Sequence, residues 1–174
     1  MVKANVLLVD DEVPFVATLA NRLRRRDFTV SSVHSGEAAI EWLDERAGID
    51  YDNRVMAGLE EGGNVEVVLL DVRMPGLDGI ETFKLIRDRH PLLEVIMLTG
   101  HGTVADAIEG MKRGAFDYLM KPCPIEVLEE KLMAAAERRR RQMKKIIEAL
   151  SQPYRSRRDL KHILAEVKSS PDAK

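Results

Sequence analysis

The 174-residue chain has one cysteine, Cys123, so no internal disulfide framework staples it, and this usage fits a reducing compartment. Long apolar runs are missing as well. The N-terminal stretch "MVKANVLLVDDE" has an apolar run too short for a signal peptide and ends in acids, and no later stretch is long enough to span a bilayer. A cytoplasmic protein without a membrane partner is therefore expected. Neither sign of charge is in excess: the formal net charge is −2, with no global bias toward nucleic acid or anionic membrane. What remains is 45% apolar and 32% charged, an ordinary globular composition. The length holds one well-buried core plus an appendage, and is too short for two full-sized domains.

Short β-branched runs alternate with helical patterns along the chain. "NVLLV" (5–9), "FTVSSV" (28–33), "VEVVLL" (65–70), "EVIML" (94–98) and "FDYLM" (116–120) read as strands, being brief, Val/Ile-rich and bounded by turn residues. Helix starts lie between them. Pro14 suits a first turn, Ser35 can cap the helix carrying Ile40, Trp42 and Leu43, Asp78 opens a capping box before "GIE", and Thr103 precedes "VAD" in the same way. Gly114 is placed to end a helix. Strict alternation of this kind implies an α/β fold with a doubly wound parallel sheet, and five strands suggest the flavodoxin-like order 2-1-3-4-5.

In such sheets ligands bind beyond the carboxyl ends of the strands, where the strand order reverses. Asp10 and Asp11 follow the first strand, Asp71 follows the third in "VVLLDVRMPGLDG", Thr99 ends the fourth in "VIMLTGHG", and Lys121 ends the fifth in "DYLMKPCP". Adjacent carboxylates repel, by roughly 4 kcal/mol per pair at about 4 Å with an effective dielectric near 20. A bound cation turns that repulsion into affinity. Three carboxylates and one ammonium in one crevice suggest a hard divalent ion, and magnesium fits because it uses one or two carboxylates and leaves positions for water and phosphate oxygens. Asp71 is then a candidate nucleophile toward a phosphoryl group, with Lys121 supplying a mobile point charge and the Thr99 hydroxyl a hydrogen bond.

Each residue also has a plainer role. The three acids of "DDE" favour a helix macrodipole, Asp71 can cap a turn before "MPG", Lys121 can be a solvated strand end, and Thr99 an ordinary cap. Those roles explain the residues singly and leave their convergence on one edge unexplained.

At these positions the sequence resembles the response-regulator receiver domains of bacterial two-component signalling. The resemblance rests on the Asp10-Asp11 pair, "LLDVRMPGLDG" around Asp71, "LTGHG" around Thr99, and "DYLMKP" with Tyr118, Lys121 and Pro122, and it covers roughly residues 3–136. It implies that Asp71 accepts phosphate from a sensor histidine kinase, a phosphotransfer protein or a small phosphodonor. It further implies that Asp11, Asp71 and the backbone carbonyl of Arg73 ligate Mg2+ directly, with Asp10 acting through water. The Lys121-Pro122 bond is expected to be cis. On phosphorylation Thr99 moves toward the new group and Tyr118 fills the vacated space, which remodels the face of the fourth helix, fifth strand and fifth helix for a downstream partner. Arg73 and His101 lie where side chains in this family tune phosphoryl lifetime. The protein is then no enzyme toward external substrates, catalysing only its own phosphorylation and dephosphorylation.

Two segments depart from the family pattern. A long insertion, "ERAGIDYDNRVMAGLEEGGN" (45–64), separates the second helix from the third strand. Residues 137–174 form a helical extension to the receiver of residues 1–136. Leu128, Leu132 and Ala135 can face the core, Met143, Ile146, Ile147 and Leu150 continue a stripe, Leu160, Ile163, Leu164 and Val167 form a second one, and the tail from about residue 169 is expected to be disordered. Burying such stripes gains roughly 1.5–3 kcal/mol per large side chain, so the extension is expected to pack on another subunit, giving a homodimer, or to fold back on the receiver. The switch face is a second route to a homodimer. The arginine run "ERRRRQMKK" (137–145) is read as a solvated face rather than a nucleic-acid site, since no helix-turn-helix or ATPase signature follows it. The chain is thus a stand-alone regulator or the front of a longer one. A magnesium-dependent aspartyl-phosphate phosphatase is the alternative, although haloacid-dehalogenase-like families place a second aspartate where this chain has Arg73. A flavin or dinucleotide binder needs a phosphate cradle after the first strand, and "DDE" would repel one.

Overall fold

The computed structural model describes residues 1–47, 65–100, 104–150, 162–163 and 165–166. Most of the 45–64 insertion, Thr103, His101, Leu160, Leu164, Val167 and the tail therefore lie outside the described residues. The strands are β1 (Asn5–Val9), β2 (Thr29–Val33), β3 (Val67–Leu70), β4 (Glu94–Thr99) and β5 (Asp117–Met120). Among the described residues the helices are α1 (Val13–Arg24), α2 (Gly36–Ala47), α3 (Gly79–Arg89), α4 (Val104–Lys112) and α5 (Ile125–Leu150). All neighbouring strands are parallel, in the order β2-β1-β3-β4-β5. None of the described helices is long and apolar enough to cross a membrane.

Alternation along the strands divides the core into two layers. Val6, Leu8, Val67, Leu69, Ile96 and Leu98 face α1 and α5, where Val16, Leu19, Leu23, Leu128 and Leu132 complete one layer. Leu7, Val9, Val68, Leu70, Val95 and Met97 face Ile40, Leu43, Phe83 and Ile86 of α2 and α3 on the other side. Near-continuous apolar strands are what burial on both faces requires.

Caps set the helix directions. Pro14 occupies the first turn of α1, Ser35 Oγ accepts the Ala38 N–H at 3.1 Å, and Asp78 with Glu81 forms a complete capping box on α3. Gly114, with φ of +88°, closes the chain after α4, and the Ala115 N–H reaches back to the Gly110 carbonyl at 3.0 Å. Strand edges differ from the sequence reading by one or two residues. Phe28, for instance, donates its N–H to the Leu23 carbonyl at 3.2 Å and so closes α1, and the β2 ladder begins at Thr29.

One expectation is corrected in part: Arg140 and Arg141 of the arginine run are exposed as expected, but Arg138 and Arg139 are turned into the protein and are not solvated. Helix α5 continues unbroken past the N-terminal edge of the sheet, where Glu66 and Glu94 sit buried at the starts of β3 and β4. Arg138 forks onto Glu94, with Nε to Oε1 at 2.7 Å and Nη2 on Oε2, and stacks over the Phe116 ring at 4.7 Å. Arg140 forks onto Glu66 at 2.6 and 2.9 Å. Arg139 is buried between them. Helical periodicity alone placed the run beyond the core, and the missing information was that two acids at strand starts needed cations. Met143, Ile146 and Ile163 are buried within the single chain, while Ile147 is exposed.

Candidate functional site

At the carboxyl edge of the sheet the backbone ladder holds each polar residue one step beyond its strand. The Asp10 N–H donates to the Val33 carbonyl at 3.3 Å, Asp71 N–H to Val9 at 2.9 Å, and Lys121 N–H to Thr99 at 2.8 Å. Neighbouring strands therefore deliver these residues to one spot. Carboxylate oxygens of Asp10, Asp11 and Asp71 lie within 4.8 Å of one another, with Asp10 and Asp71 buried and Asp11 exposed. Gly79 permits this approach of α3, because a Cβ there would stand 2.0 Å from the Asp71 carbonyl oxygen.

Lys121 spans the acids. Its Nζ is 2.6 Å from Asp10 Oδ2, 3.2 Å from Glu12 Oε1 and 3.7 Å from Asp71 Oδ1, and it lies 4.2 Å from the centre of the Phe15 ring. The Lys121-Pro122 peptide is cis. Asp10 is further held by the Glu12 N–H, which donates to Oδ1 at 2.8 Å, and its backbone carbonyl is 3.0 Å from His34 Nδ1. Burial pushes the Asp71 carboxyl above its usual range, and the charge of Asp10 adds to this against the opposing pull of Lys121, the Thr99 hydroxyl and the Val72 N–H. For Lys121, burial lowers the ammonium, but the hydrogen bond to Asp10, the charges of Asp71 and Asp10 and the hydrogen bond to Glu12 outweigh it and raise the group.

The donor set fits a hard divalent cation. Asp71 Oδ1 is buried and accepts no hydrogen bond among the described residues, and the Lys121 ammonium faces three acids with Asp11 beside them. An oxygen left without a donor beside two further carboxylates is a place for a metal ion.

Thr99 is fully buried and its hydroxyl hydrogen-bonds the Asp71 carboxylate. Tyr118 is half-buried on β5 against the layer containing Leu70 and Met97. It pairs with Met97, two residues before Thr99 on the same strand face. Arg73 follows Asp71 in the loop after β3 with an exposed side chain. The residues singled out from sequence, Asp10, Asp11, Asp71, Thr99 and Lys121, are thus brought together, with Tyr118 one strand away. Two participants were missed, Glu12 and Phe15. The third acid of "DDE" was the available signal for Glu12, and nothing in the sequence marked Phe15 as a seat for the lysine.

The sequence profile of the family described as "Response regulator receiver domain" matches residues 6–133. Among curated relatives, the transcriptional regulatory protein TcrA of Mycobacterium tuberculosis is 35% identical over 133 residues, covering 76% of this chain and 46% of TcrA. The C4-dicarboxylate transport transcriptional regulatory protein DctD of Rhizobium meliloti is 32% identical, covering 91% of this chain and 34% of DctD. This chain therefore spans less than half the length of either relative. Among solved structures, a response regulator receiver domain protein from Clostridium thermocellum superposes with a TM-score of 0.62 at 28% identity, covering 79% of this chain and 97% of that one.

Proposed function

Because the chain belongs to the response-regulator receiver family, we propose that Asp71 is its phosphoacceptor and that phosphorylation there switches an output surface. The observation that carries this reading is the orphaned, buried Oδ1 of Asp71 within reach of Lys121 and two further carboxylates. An Asp71 oxygen attacks the phosphorus of a phosphohistidine on a sensor kinase or phosphotransfer protein, or of a small acyl phosphate. The O–P bond forms as the P–N or P–O bond to the donor breaks, and the electron pair leaves with the imidazole or carboxylate. Asp11, Asp71 and the Arg73 carbonyl would hold Mg2+ directly, and Asp10 through water. When bound, the ion supplies neutralisation of charge on the phosphoryl oxygens. Lys121 shifts toward one of those oxygens, and the Thr99 hydroxyl transfers its hydrogen bond from the carboxylate to another. Later attack by water on phosphorus restores Asp71 and releases phosphate, so the chemistry is confined to the chain's own aspartate.

The strand register supports the switch reading. Withdrawal of Thr99 toward the phosphoryl group frees space on the sheet face that Tyr118 shares, and the Tyr118 ring moves into it. Exposed Ile108 and Met111 of α4, Met120 of β5 and Val127 of α5 supply an apolar surface beside it for a downstream protein or a second copy of the chain. The C-terminal helices offer the other route to a homodimer. Residues 1–136 act as the receiver and 137–174 as its helical extension, in the cytoplasm. Arg138, Arg140 and Arg141 are engaged with Glu94, Glu66 and Glu137 within the chain, which disfavours nucleic acid as their partner.

Intact-mass measurement after incubation with acetyl phosphate tests the reading. Wild type gains one phosphate adduct that requires magnesium, and Asp71→Asn gains none. An adduct that persists in Asp71→Asn sinks the assignment, and turnover of external phosphoesters would favour a phosphatase.

A further inference from the structure

Four groups hold or approach the Lys121 ammonium, and only two of them belong to the acidic triad. Glu12, largely exposed at the head of α1, holds Nζ at 3.2 Å, and the Phe15 ring, one helical turn on, lies 4.2 Å beneath it. Asp71 is more distant, at 3.7 Å. Glu12 is the N-cap residue of α1, yet its side chain makes no capping hydrogen bond, so the helix does not require the carboxylate where it is. It meets the lysine instead. From this arrangement we infer that Glu12 is a positioning residue that parks Lys121 away from Asp71 in the unphosphorylated chain and competes with the incoming phosphoryl group for the ammonium. The inference rests on the reading of Asp71 as phosphoacceptor.

The physical argument is one of competition. A phosphoryl group on Asp71 draws the ammonium as a point charge, and Lys121 reaches it by giving up its contact with Glu12. Phe15 presents a flat apolar face with a negative quadrupole on which Nζ can slide between the two positions without losing all its partners. Any contact made only by the parked lysine stabilises the starting state and slows phosphorylation. An exposed ion pair of this kind is weak, so its release is worth about 2- to 5-fold in rate.

The test compares wild type, Glu12→Gln and Glu12→Asp in the full chain, using two donors of different charge, acetyl phosphate (a dianion near neutral pH) and phosphoramidate (a monoanion). Rates of adduct formation at Asp71 are followed by intact mass, with thermal melts to confirm folding. Glu12→Gln is expected to react about 2- to 5-fold faster with both donors. Glu12→Asp keeps the charge but is one methylene short of the lysine, and is expected to follow Glu12→Gln. Three outcomes overturn the inference: unchanged rates in Glu12→Gln, an acceleration confined to the dianionic donor, or wild-type behaviour of Glu12→Asp. The second and third would show that Glu12 merely repels anions. If wild type itself forms no adduct at Asp71, the phosphoacceptor reading fails first, and the two failures are distinguishable.

Discussion

At the residue scale the protein bears a standing cost at Asp71, whose carboxylate is buried beside Asp10 and carries an oxygen without a donor among the described residues. Its carboxyl is raised above the unfolded value, chiefly by burial. The folded chain therefore keeps that proton to higher pH than the unfolded one, and stability falls as pH climbs from the ordinary carboxylate range through the raised folded-state value. Asp71→Asn removes the ionisation, so in chelator the variant should melt above wild type at neutral pH, by about 2–4 °C for each kcal/mol relieved. The gap should narrow on acidification and on addition of magnesium, which stabilises wild type by binding the folded state. A variant melting below wild type at neutral pH would show that Asp71 is not under electrostatic strain. Residues bearing such strain were the most legible in the sequence, because adjacent acids after an apolar run break the pattern of a buried strand. Glu12 and Phe15 were not, since their roles depend on where Lys121 arrives from β5, a long-range contact that periodicity does not report.

At the scale of elements, α5 shows why the extension was only half legible. Leu128, Leu132 and Ala135 were placed on the core from their spacing, and they are buried. Arg138 continues the same face one turn later, where it meets Glu94 at the start of β4 in place of an apolar side chain. A pattern of apolar residues cannot reveal a face that is completed by charge. Glu94 is 2% exposed, and Arg87 on α3 also feels its charge, with burial lowering the Arg87 guanidinium while Glu94 raises it and Arg138 lowers it further. Glu94→Gln would leave Arg138 and Arg87 without a buried counter-charge, and it should cost about 3–5 kcal/mol in urea unfolding. Replacing Glu94 and Arg138 together by methionine should recover most of that loss, because two matched apolar groups remove both desolvation costs. Equal losses in the single and double variants would mean that the pair does not act as a unit.

Across the whole molecule the two ends of one sheet treat charge in opposite ways, and this contrast marks the candidate site. At the carboxyl edge Asp10, Glu12 and Asp71 gather around the ammonium of Lys121 with Asp11 beside them, an excess of acid that suits a cation under the proposed phosphoacceptor reading. At the amino edge Glu66 and Glu94 are matched by Arg140 and Arg138, carried there by a helix that starts near the site and runs the full depth of the sheet. The strand order was legible because alternation and turn residues are local, whereas the neutralised edge was not, because it joins residues 74 positions apart. The helix thus ties the receiver to its extension, and a chain cut after residue 136 should lose more than helix. In the full chain Glu66→Gln should destabilise by about 1.5–3 kcal/mol, since it gives up charged hydrogen bonds to Arg140. In the truncated chain Glu66 keeps the Asn5 N–H at 3.0 Å but no arginine from the extension, and its buried charge becomes a burden. There Glu66→Gln should be neutral or stabilising, a change of sign read by urea titration of the four proteins. An equal cost at both lengths would mean that the extension does nothing to neutralise the sheet edge, and that its arginines are free to serve another partner.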